Sequence, residues 1–205
     1  MIRPITIILA LILTFGGALS QPRVTGSDAN QRREKLRTIL QIQDLRSGRN
    51  ALLRQYLYDR DTVVRLRATL AYGSLQDTTA IPDLLNNLVN APTAVQKAAA
   101  FAIGQTAASL GQKSLEELEH DLLWVRLDRT AARARLIEEL GKFGTEKGLT
   151  DLVLRLGTGR VRERAPILMS IARFAIRKVR TTEATRLALE SLLDPATATW
   201  NAAYA

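Results

Sequence analysis

Cysteine is absent and histidine occurs once, at His120. Without a thiol the chain has no disulfide framework, no thiolate zinc site, no cysteine nucleophile and no lipid-bearing cysteine behind a leader. A lone imidazole between Glu119 and Asp121, which point to different faces of a helix, builds neither a metal centre nor a Ser–His–Asp triad, and no serine stands in a nucleophile elbow. His120 reads as a surface residue. Aromatic residues make up 5% of the chain, so alanine and leucine do the packing, as where helices stack closely. Gly157-Thr158-Gly159 lacks the lysine and following Ser/Thr of a phosphate-cradling loop and reads as a connection between helices. Glu138 and Glu139 are adjacent on a helix and diverge, so they offer no acid–base pair. No catalytic, metal-binding or cofactor-binding residue is expected, and no cofactor. No run of like charge is long enough for a disordered tail.

What is present begins with a leader. In Met1–Ser20, Arg3 precedes an eleven-residue apolar run from Ile5 to Phe15, then two glycines and Ala18-Leu19-Ser20. This is the pattern of a secretory signal peptide over residues 1–20, with cleavage expected before Gln21. The apolar run is too short to cross about 30 Å of hydrocarbon, so the mature chain is expected to have no transmembrane segment. The protein is thus expected to be exported, to the periplasm or cell envelope or beyond. The formal charge of +9 includes Arg3. Residues 21–29, with Pro22 and Gly26, form a polar linker, and helix is predicted from Asn30.

From there a helical unit repeats. Val64, Ala68, Ala71 and Leu75 make one apolar stripe, with Gly73 and the following Gln76-Asp77-Thr78-Thr79 ending that helix; Ile81, Leu84, Leu85 and Leu88 make the next. Ala98–Gly104 matches Arg67–Gly73 thirty-one residues earlier, and Ala165–Ala175 matches Ala134–Gly144 at the same step. Between Gly104 and Gly141 the step is thirty-seven, which marks an insertion. The predicted pairs are 50–59 with 62–75, 79–90 with 93–109, 114–126 with 129–143, and 146–156 with 160–179. A further helix is predicted over 181–193. Ser114 and Glu117 fit a capping box. Pro166 either starts or kinks its helix. A helical period in the low thirties predicts an all-α fold, an α-solenoid over residues 30–205.

Val64, Arg65, Ala68, Ala71, Gly73, Asp77, Ala80 and Leu84, with Asp59 or Asp61 before them, resemble the short bacterial HEAT repeat of the phycobilisome-lyase-like kind. The resemblance implies a right-handed α-α superhelix of about four to five helix pairs. It also implies that Asp59, Asp61, Arg65 and Asp77 tie neighbouring repeats together, and that a protein or peptide partner lies on the concave face. Residues 39–47, 98–106 and 139–152 further resemble the leading part of exported bacterial proteins whose HEAT repeats precede a cyclophilin-type peptidyl-prolyl isomerase domain. None of that domain's residues occurs in this chain. Two functions therefore stand: a protein-binding scaffold, or the client-holding region of an isomerase whose catalytic domain lies beyond residue 205.

Residues 195–205 align with residues 92–102, so the sequence stops partway through a packing helix. That favours a longer protein over a chain whose short last helix is its own cap. Between Arg160 and Arg186 basic residues outnumber Glu163 and Glu183. Arg173, Arg177 and Arg180 fall at i, i+4 and i+7, which predicts one helix face. The face is either a patch for an anionic partner or a solvated surface whose cations complement the helix dipole. Nucleic acid is not expected, because export removes the chain from it and no aromatics interleave the arginines.

Overall fold

The computed structural model describes residues 26–47, 50–158 and 161–193. The described residues are all-α, in ten helices: α1 Gly26–Asp44, α2 Ala51–Tyr56, α3 Thr62–Leu75, α4 Ile81–Asn90, α5 Thr93–Thr106, α6 Gln112–Trp124, α7 Thr130–Leu140, α8 Glu146–Thr158, α9 Val161–Ile176 and α10 Glu183–Leu193. None is long and apolar enough to cross a membrane. Residues 1–25 and 194–205, on which the leader and the terminal half-repeat fall, lie outside the described residues.

The odd-numbered helices pack in sequence, α1 on α3, α3 on α5, α5 on α7 and α7 on α9. The even-numbered helices from α2 to α8 each lie against the odd helix that follows, and α6, α8 and α10 also touch in series. The core runs between the rows. Val64, Ala68 and Ala71 of α3, Leu84 and Leu88 of α4, Leu136 and Leu140 of α7, and Ile167 and Phe174 of α9 are all buried in it.

Glycine sets the spacing of the odd row. Gly73 lies inside α3 and does not end it. A Cβ there would sit 3.1 Å from the Ala102 Cα of α5. The same crossing recurs at Gly104, where a Cβ would be 2.9 Å from the Glu139 Cβ, and at Gly141, where it would be 2.7 Å from the Ser170 carbonyl oxygen. Each helix backbone approaches the next because there is no side chain in the way.

Several boundaries differ from the sequence reading. Helix α1 begins at Gly26, inside the expected linker. Gly111, not Ser114, stands at the N-cap of α6, and Ser114 lies within the helix. Pro166 sits inside α9 and is buried. Helix α9 stops at Ile176, because Lys178 turns to φ 56° while its amide and that of Val179 bond back to Ala175 and Phe174. Arg180 is therefore off the helix, and the three arginines do not share one helical face.

Candidate functional site: the outer face of the odd helices

Where α3, α5 and α7 meet, their outer surface forms a groove of about 380 Å³. Leu66 and Leu70 of α3 and Ala94, Ala98 and Phe101 of α5 give it an apolar floor, with Lys97 and Arg135 on its edges. Phe101 is half-buried and carries two cations. The Lys142 ammonium lies 4.7 Å and the Arg135 guanidinium 5.6 Å from its ring centroid, positions that the negative ring face favours. Beneath them Glu139, almost fully buried, pairs with Arg135 at 2.7 Å and with Lys142. At the corresponding crossings Gly73 meets Ala102 and Gly141 meets Ser170, so Glu139 places a carboxylate where the neighbouring repeats have small residues. It holds the two cations upright over Phe101.

The anticipated anion patch divides. Arg173 donates to the Glu138 carbonyl of α7 and so ties α9 to α7. Arg177 is exposed just past the helix end, beside Gly144, which itself has φ +76°. Arg180 is exposed in the connection that follows. Arg177 and Arg180 leave a basic margin at the α9 end of the face.

The four residues singled out for ties between repeats act in three ways. Asp59 pairs with Lys35 of α1 at 2.6 Å and accepts the Asp61 amide at 2.8 Å. Asp61 caps α3 by accepting the Val63 amide at 2.9 Å and pairs with Arg32 of α1. Partial burial pushes the Asp61 carboxyl up, but Arg32 and the α3 amides outweigh it and hold it below the usual range. Both aspartates thus bind α3 to α1. Asp77 is local, capping the short 3₁₀ turn Thr78–Ala80 through the Thr79 amide at 3.0 Å. Arg65 donates to Asn87 of α4 at 2.9 Å. Its partner is an amide, not an aspartate.

That contact belongs to a row of caps at one register of the odd helices. A helix ends with unpaired carbonyls. Buried Asn87, held by Arg65, donates to the Leu57 carbonyl at the end of α2 at 3.1 Å. Gln96, at the same place in α5, donates to the Val89 carbonyl of α4 at 3.1 Å. Arg133, at the same place in α7, donates to the carbonyls of Leu122, Leu123 and Val125 at the end of α6. The glycine offsets relate positions 65, 96 and 133, each eight residues before Gly73, Gly104 or Gly141.

Between α6 and α8, Glu119 is buried, accepts the Thr145 hydroxyl and faces Gly148 with no room for a side chain there. The Thr145 oxygen in turn accepts the Gly148 amide at 2.8 Å and caps α8. Burial, with Asp151 and Glu116 nearby, pushes the Glu119 carboxyl up to about 8. His120 is exposed, 3.3 Å from Asp151.

Comparison with protein-family models, curated proteins and solved structures gives no match.

Proposed function

We propose that this chain is an exported HEAT-type α-solenoid scaffold whose odd-helix face grips an acidic, partly apolar segment of a partner protein. The serial packing of odd helices and the common register of Gly73, Gly104 and Gly141 support the solenoid reading. The Met1–Ser20 pattern supports export. The observation that carries the binding reading is the groove floored by Leu66, Leu70 and Phe101 and edged by Lys97 and Arg135. An apolar floor between cations complements a segment that alternates apolar and acidic side chains.

The test uses a fluorescent acidic amphipathic peptide of roughly 15 residues, long enough for a helix, and its basic counterpart. The acidic peptide is expected to bind saturably, and Lys97→Glu or Phe101→Ala is expected to weaken it by about tenfold. Equal binding of both peptides, or indifference to both substitutions, would remove the reading.

A further inference from the structure

A second recess lies where the connection from α6 to α7 faces the start of α9. Its volume is about 960 Å³, and its walls include Trp124, Leu127 and Val161. Arg133 and Arg155 meet at its base and share one carboxylate. Arg133 Nε is 3.4 Å from one oxygen of Glu163, and Arg155 places two nitrogens 2.8 Å from the other. Both guanidiniums are largely buried. Burial, followed by the charge of Arg155, holds the Arg133 guanidinium below its ordinary value, with Glu163 acting against the shift. Arg126 and Arg162 are exposed at the rim, while Asp128 is the other acid among the described lining residues. The recess therefore carries net positive charge over a buried base, where the local dielectric strengthens attraction.

Trp124 is 56% exposed despite its size. Its ring lies 5.1 Å from the Arg155 guanidinium, so the indole is held at the edge of the recess. An indole wall, a few apolar side chains and converging guanidiniums are the ingredients of a small-molecule site.

We propose that this recess binds a small organic oxyanion with a flat apolar body, its phosphate or carboxylate head drawn in by the excess of lining arginines, of which Arg126 and Arg162 are the exposed pair, and its body against Trp124. The proposal is independent of the groove on α3, α5 and α7.

The test follows Trp124 fluorescence in a Trp200→Phe background, titrated separately with phenyl phosphate, benzoate, inorganic phosphate and benzyl alcohol. Phenyl phosphate or benzoate is expected to saturate the signal, and the better of the two identifies the head group. Inorganic phosphate is expected to bind about tenfold more weakly, for want of the ring. Benzyl alcohol is expected to give no saturation. An Arg126→Ala/Arg162→Ala double substitution, with both side chains at the rim, is expected to keep the helical circular dichroism and melting temperature. It is expected to weaken binding at least about tenfold. Non-saturating titrations with both aromatic anions would overturn the site, as would identical affinity in the double variant. Benzyl alcohol binding as well as the anions would overturn the oxyanion assignment, and inorganic phosphate binding as well as phenyl phosphate would overturn the role of Trp124.

Discussion

Arg133 illustrates how much structure can rest on one side chain. It covers three carbonyls at the end of α6 and contributes half of a buried cation pair. Replacing it with methionine preserves the stem but leaves those carbonyls without a donor. Urea unfolding of Arg133→Met is expected to show a loss of about 2–4 kcal/mol with an unchanged slope. Arg65→Met, which removes contacts to Asn87 alone, is expected to cost under about 1.5 kcal/mol. Equal losses would show that the carbonyl caps contribute little. The residue pattern was partly legible: the glycine offsets bring positions 65, 96 and 133 into register. The role of those positions was not, because arginine and glutamine share only reach and donors, and a backbone carbonyl leaves no trace in sequence.

At the scale of elements, helix pairs and apolar stripes were readable, because 3.6-residue periodicity follows directly from burial on one side. Helix ends were less readable. Arg46, Gln76 and Lys178 adopt the left-handed conformation just past α1, α3 and α9, where glycine is the usual stop signal. Conversely, Gly73 looked like a stop and is a crossing point. The groove escaped notice for a related reason: Leu66, Phe101 and Arg135 lie on three different helices, and only the odd-row packing brings them together. The crossings make an opposed pair of predictions. Gly141→Ala is expected to lower stability by about 1–3 kcal/mol, because the new methyl group meets backbone of α9. Gly157→Ala, with open space around it in α8, is expected to be neutral or stabilising by up to about 1 kcal/mol. Thermal melts of the two variants check the contrast.

The molecule as a whole should register the ionisation of Glu119. Its folded carboxyl is raised to about 8 from an ordinary 4.5, so the folded chain retains a proton that the unfolded chain releases. The associated stability is fully present below about pH 4.5 and is lost as pH rises through about 8. The linked change is on the order of several kcal/mol. The melting temperature is expected to fall between pH 6 and pH 9, and Glu119→Gln is expected to flatten that fall; a parallel fall in both proteins would place the titration elsewhere. The same region bears on how such a chain can change over evolutionary time. The lengthened step between α5 and α7 leaves the Gly104 crossing in the same register as Gly73 and Gly141. The added residues are taken up by α6 and its connections, beside the arginine-lined recess. The odd row thus keeps its crossing register across the longer step, and the extra length lies on the other side. Novelty can be added to one flank of the protein without a change in the geometry by which its repeats are counted.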